Sequence, residues 1–196
     1  MDNSIDLRRK TNDKKQMFAS SSVNYQSLLE LIRGQQCTLN QVMDDEGFST
    51  ALRNDAPELI EFLLREEQLS IIITYALTKS NTNNLDPVFE KKMMRSSVNI
   101  LISNSRTLQN SLMKNSTFLD SLRTFPSSPA IQYPDLCANF TNIIEHYLYS
   151  TQGHFIESEF PNLVPLLIDN IQILSFTFLV KTICCDYSSN FNTSYD

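Results

Sequence analysis

Glycine is nearly absent from this sequence: there are three in 196 residues, at positions 34, 47 and 153. They are isolated from one another, so a phosphate-cradling loop of the P-loop kind is excluded. A β-sandwich, which needs many tight turns, is disfavoured on the same ground. Histidine is as scarce, with His146 and His154 alone. No CxxC or HxxxH spacing occurs, and a zinc site needs four converging ligands. The four cysteines are Cys37, Cys137, Cys184 and Cys185. Their spacing suits neither a zinc knuckle nor a disulfide framework, and adjacent cysteines rarely pair. No metal and no cofactor is therefore expected. Cys137 and His146 share one helix but stand nine residues apart. That is about two and a half turns, which places them on opposite sides. Cys137 reads as an inert buried thiol.

Long apolar runs are missing too. The most apolar stretch, Leu163 to Cys185, is interrupted by Pro165, Asp169, Asn170, Gln172 and Lys181. A spanning helix needs about 20 predominantly apolar residues, so no membrane partner is expected. No secretory signal pattern opens the chain, and reduced thiols in the cytoplasm are the expectation. Formal net charge is −6. Residues 1–22 carry five basic and three acidic groups, and the rest of the chain carries 11 and 19. A body that acidic repels phosphate backbones, so nucleic acid is not expected as a partner. Arg8-Arg9-Lys10 with Lys14-Lys15 forms a weak nuclear-targeting patch, set in a segment, 1–22, that reads as a solvated tail. A second polar tail is expected over 186–196.

What is present is helix signal, densest from Thr38 to Leu77. Thr38 followed by Gln41 is a capping-box pattern. Asp55, Pro57 and Glu58 repeat the device. Leu59, Ile60, Leu63 and Leu64 then make one apolar face. Asp44, Asp45 and Glu46 form an acidic elbow between the two starts. Arg65 to Gln68 reads either as a tight corner or as part of one continuous helix. Ile71-Ile72-Ile73 is β-branched, but its neighbours are strong helix formers and no partner strand exists. Asp86-Pro87 opens another helix, and short helices follow at 107–114 and 117–125. Pro126 to Pro129 is the strongest breaker. From Pro134 onward Leu136, Phe140, Ile143, Ile144, Tyr147 and Leu148 form the cleanest amphipathic ladder. Gly34 is placed to end its helix in a left-handed cap, and Gly153 breaks the ladder helix.

A rhythm runs through the apolar clusters. Phe62-Leu63, Leu112-Met113 and Phe155-Ile156 each precede a second cluster, at spacings of 50 and then 43 residues. Periods of about 40–47 residues are those of HEAT and armadillo arrays. The fold class is therefore read as all-α, an armadillo/HEAT-like helical-repeat solenoid of antiparallel helix pairs, in one domain over 23–185. No catalytic residues are expected: adjacent carboxylates such as Glu66-Glu67 on a turn are solvated, whereas acid–base work needs them opposed in different environments.

Several runs together resemble the SAPS family, the regulatory subunits of phosphatase-6-type serine/threonine phosphatases. They are Ser27-Leu28-Leu29, Thr38-Leu39, Val42-Met43-Asp44-Asp45-Glu46, Arg53, and Glu58-Leu59-Ile60-Glu61-Phe62-Leu63. Met17-Phe18 is similar to the family's Met-Phe-Trp start, with the Trp absent. Weaker similarity runs through Phe118-Leu119-Asp120-Ser121-Leu122 and from Asn139 to Cys184. The resemblance implies a helical-repeat scaffold, not an enzyme, that binds a phosphatase catalytic subunit, directs it to substrates, and also meets an ankyrin-repeat subunit. Asp44, Asp45, Glu46 and Arg53 are the expected partner-binding residues. A general armadillo/HEAT adaptor for transport or the cytoskeleton is the alternative. The family's helical domain is longer than this chain. An array without a polar terminal cap would leave an apolar edge uncovered on the last helix, Leu174 to Ile183.

Overall fold

The computed structural model describes residues 25–34, 36–79 and 86–187. Residues 1–24, 35, 80–85 and 188–196 lie outside them, and with them the expected tail over 1–22. Every regular element among the described residues is helical. The chain divides into two compact units, one ending at Leu63 and the other starting at Leu64.

The first unit contains α1 (Gln26–Arg33), α2 (Leu39–Asp44), α3 (Phe48–Arg53) and α4 (Pro57–Leu63). Leu28, Leu29 and Ile32 of α1 are buried, as are Leu59, Ile60, Phe62 and Leu63 of α4, and the two helices pack together. Arg33 and Glu58 tie them at the surface by an ion pair. The Arg33 guanidinium, helped by Glu58's own backbone N–H, holds that carboxyl below the usual carboxylate range. Thr38 forms the capping box read from the sequence. Its N–H donates to Gln41 Oε1 at 2.8 Å, and Gln41 N–H donates to Thr38 Oγ1 at 3.4 Å.

Two expectations about caps are corrected here. Gly34 is right-handed, at φ −65° and ψ −8°, so α1 ends without a left-handed residue. Asp55 does not sit in the N-cap position of α4. Pro57 is the first helical residue, so Ala56 occupies that slot, and its carbonyl accepts from Ile60 N–H. Asp55 instead closes α3, with φ 52°. Its N–H donates to Leu52 O, and Ala56 N–H reaches back to Ala51 O at 3.0 Å. That pair of bonds is a Schellman motif, and Ala51 and Ala56 are both buried.

The second unit holds α5 (Glu66–Leu77), α6 (Pro87–Leu101), α7 (Arg106–Leu112), α8 (Ser116–Thr124), α9 (Pro134–Ser150), α10 (His154–Glu159), α11 (Leu163–Ile168) and α12 (Leu174–Lys181). A π-helical turn, Thr182–Tyr187, follows, so the polar tail expected from 186 is helical in its first two residues. Ile71-Ile72-Ile73 is helical, with Ile72 and Ile73 in the core. Of the two readings left open for Arg65 to Gln68, the helix does not run through: Arg65 is non-helical at φ −58° and ψ 135°, and Glu66 to Gln68 are helical. Glu66 and Glu67 form the first turn of α5, where the helix dipole favours negative charge. Side-chain oxygens of Asp86, Ser105 and Asn115 cap α6, α7 and α8.

Helix α9 is the hub of this unit. All six residues of its ladder are buried. It packs on α5, α6, α10 and α12. The Asn139 amide donates to Ala76 O of α5 at 2.9 Å, and the Tyr147 hydroxyl donates to Leu101 O of α6 at 3.2 Å. Phe140 stacks on Phe125 at 4.7 Å between centroids and meets Phe176 of α12 edge-on at 5.8 Å. Tyr147 touches the rings of Phe118 and Phe155. Such pairs stabilise by about 0.5–1.5 kcal/mol each beyond the area they bury. Two 3-10 turns, Phe125–Ser127 and Pro129–Gln132, follow α8, and the first carries Phe125 into this cluster.

Candidate functional site

The acidic elbow is built by the end of α2. Asp44 closes that helix and is exposed; Asp45 leaves helical dihedrals at φ −69° and ψ 135°. The Asp45 carboxylate accepts from Gly47 N–H at 2.7 Å, which fixes the turn into α3. It is thus a structural group first, half-buried and committed to backbone. Glu46 is exposed. Arg53 is exposed on the last turn of α3, and its Nε donates to Ser49 O at 3.4 Å. Asp45 is thus bound to its own turn and Arg53 to its own helix.

Several polar groups elsewhere that could carry chemistry are engaged in holding the fold. The Cys137 thiol is buried and donates to Ile131 O at 3.2 Å; burial pushes its pKa up, away from thiolate. The His146 ring stands 2.8 Å from the Gln109 amide nitrogen, and burial lowers its pKa. That amide nitrogen also donates to Ser103 O. His146 Nε2 therefore accepts, and the ring is neutral. A cleft of about 360 Å³ lies among α5, α8 and the proline-bounded turns, with Lys79, Phe125 and Tyr133 on its walls. Lys79 Nζ is 3.6 Å from Glu90 and 5.8 Å from the centre of the Tyr133 ring. The Ser128 and Thr124 hydroxyls on its rim both donate to main-chain carbonyls at 2.8 Å, so neither is poised as a nucleophile.

The surface that departs most from a solvated one lies on α11 and α12. Ile168 is 52% exposed, Ile171 44%, Leu174 68% and Phe178 55%. The opposite side of α12 sends Phe176 and Leu179 into the core. The last helix pair thus buries one apolar side and presents another. Leu174 and Phe178 lie on the last α-helix, and Ile168 and Ile171 precede it in α11 and the connecting turn. Single exposed apolar residues are ordinary, but a contiguous group is a common mark of an interaction site. The sequence did not nominate Ile168 and Ile171 as site residues. Their signal is an apolar stretch in which α12 is hydrophobic on both sides.

Among the described residues no helix is long and apolar enough to cross a membrane, and no group of three or more His, Cys, Asp or Glu could hold a metal ion. Compared with models of known protein families, with curated proteins and with solved structures, the chain matches none.

Proposed function

We propose that this chain is a non-catalytic, protein-binding helical scaffold whose partner is a phosphatase-6-type serine/threonine phosphatase catalytic subunit. The observation that carries the binding role is the group of exposed apolar side chains Ile168, Ile171, Leu174 and Phe178 at the last helix pair. Burying such a row against a partner releases roughly 25 cal/mol per Å² of apolar surface before the costs of association. Glu46 and Arg53 add charge that would tune recognition and on-rate more than affinity. The partner's identity rests on the run from Ser27 to Leu63, since the comparisons supply no family. Short successive helices suit an armadillo/HEAT-like array of antiparallel pairs. The contacts of α9 with α5 and α6 reach further along the chain than nearest-neighbour stacking, so the binding role is argued from the helical surface alone. Metal ions and the hydrolytic step belong to the partner in this reading, and an ankyrin-repeat subunit would occupy a separate surface.

A general armadillo/HEAT adaptor is the second reading. It shares the apolar row, which is indifferent to partner identity, but not the phosphatase. Affinity purification of the tagged chain from its own cells separates the two. Reproducible recovery of a phosphatase catalytic subunit supports the first, and recovery of other proteins without one supports the second. The purified chain is expected to release no phosphate from phosphopeptides; release that persists after removal of trace phosphatase would overturn both.

A further inference from the structure

Ser128 joins the two 3-10 turns that connect α8 to α9. Of the seven prolines in the sequence, Pro129 alone follows a serine or threonine. Proline disfavours helical dihedrals in the residue before it, and Ser128 is extended at φ −91° and ψ 158°. Ser128 is half-buried, while Ser127 and Pro129 on either side are exposed. The turn Pro129–Gln132 buries no residue, so it can open locally without exposing core. Two bonds hold the hydroxyl: it donates to Phe125 O at 2.8 Å and accepts from Ala130 N–H at 3.2 Å. Loss of its proton strands nothing, because Phe125 O also accepts from Ser128 N–H at 3.0 Å. Ser128 and Lys79 line the same cleft of about 360 Å³, and none of its lining residues is an Asp or Glu. In a chain of net charge −6, added negative charge would meet a cation here and no carboxylate.

We infer that Ser128 is a phosphorylation site for a proline-directed protein kinase, and that its phosphate ties the α8–α9 connector to Lys79, just beyond α5. The step is a phosphoryl transfer. Ser128 Oγ attacks the γ-phosphorus of a nucleoside triphosphate, the bond to the β-phosphate oxygen breaks, and the diphosphate leaves. The hydroxyl is not activated within this chain, so its proton goes to a base on the kinase. Pro129 selects the class of enzyme. It has no N–H, so a kinase pocket that offers that position no acceptor takes Ser128 and disfavours serines followed by any other residue. The product carries about −1.5 to −2 charge at pH 7 and three strong acceptor oxygens. Lys79 lies 3.6 Å from Glu90 in an ion pair partly open to solvent. A phosphate across the cleft is a stronger partner than that single carboxylate, so Lys79 turns toward it. The inference stands independently of the phosphatase reading, since it uses none of the α11–α12 side chains.

The test is incubation of the full chain with ATP and a purified mitogen-activated protein kinase, followed by phosphopeptide mass spectrometry. One phosphate on Ser128 is expected. Ser127→Ala should leave its rate of incorporation unchanged, and Pro129→Ala should lower it about tenfold or more. The phosphorylated parent should melt about 2–4 °C above the unmodified chain. Lys79→Gln should take the phosphate equally and lose that rise. Circular dichroism should show the variants folded as the parent. If Lys79→Gln does not fold, Lys79→Met keeps the test, with the same direction expected; if Pro129→Ala does not fold, the site mapped on the parent decides. No phosphate on Ser128, phosphate on Ser127 in its place, or equal rates for the parent and Pro129→Ala would overturn the site. No rise in melting temperature, or the same rise in Lys79→Gln, would overturn the tie to Lys79.

Discussion

His146 shows how one buried polar group sets a pH dependence. Its ring accepts from the Gln109 amide and is half-buried, so the charged form is disfavoured in the folded chain. The unfolded chain takes up the proton near the ordinary value of about 6.5. As pH falls below that, the unfolded state gains protons first, and stability drops until the folded-state value is passed. Above about pH 6.5 this group contributes no slope. Urea midpoints followed from neutral pH downward should therefore fall less in His146→Gln than in the parent. An identical acid slope in both would contradict the assignment. Gln152 and Gly153 supply a second case. Both have positive φ, 53° and 86°. Gln152 N–H donates to Tyr149 O and Gly153 N–H to Leu148 O, the Schellman pair that ends α9. A left-handed Gln is strained, so Gln152→Gly is expected to raise stability by roughly 0.5–1 kcal/mol. Gly153→Ala should lower it by about 1 kcal/mol or more, read from the same denaturation curves.

At the scale of elements, α9 was legible because its period is unambiguous: each of the six ladder positions is buried. The caps at Thr38 and Asp86 were legible because a short polar side chain beside a helical run has one favourable use. Asp55 was misread for a related reason. A polar residue two before Pro57 fits an N-cap pattern and a left-handed terminus equally well, and only the bond from Ala56 to Ala51 decides. Long-range partners left no local signal. Nothing near Tyr147 in the sequence says that its hydroxyl will donate to Leu101 O, a carbonyl in the last turn of α6. Tyr147→Phe keeps the ring contacts and strands that carbonyl in the core. A loss of about 1–2 kcal/mol is expected, read by thermal or urea unfolding. A neutral result would mean that this bond does not hold α9 to α6.

At the scale of the molecule, the helical class followed from few glycines and repeated helix starts, and every described element agrees. The candidate surface was only half legible. The sequence marked the α12 edge as apolar, but which residues face outward depends on how α12 seats Phe176 against Phe140. It marked the acidic elbow as a surface for partners, yet Asp45 is committed to its own turn. The central claim is that the outward row of α11 and α12 grips a phosphatase catalytic subunit. The most direct measurement is isothermal titration of the purified full chain with a purified phosphatase-6-type catalytic subunit, beside Leu174→Glu/Phe178→Glu. Both substituted side chains are exposed, so the variant should fold as the parent does. The expected result is saturable binding by the parent, weakened about a hundredfold or more in the variant, the loss of two well-buried apolar anchors. Binding of equal strength in parent and variant, or no binding by either, would contradict the account.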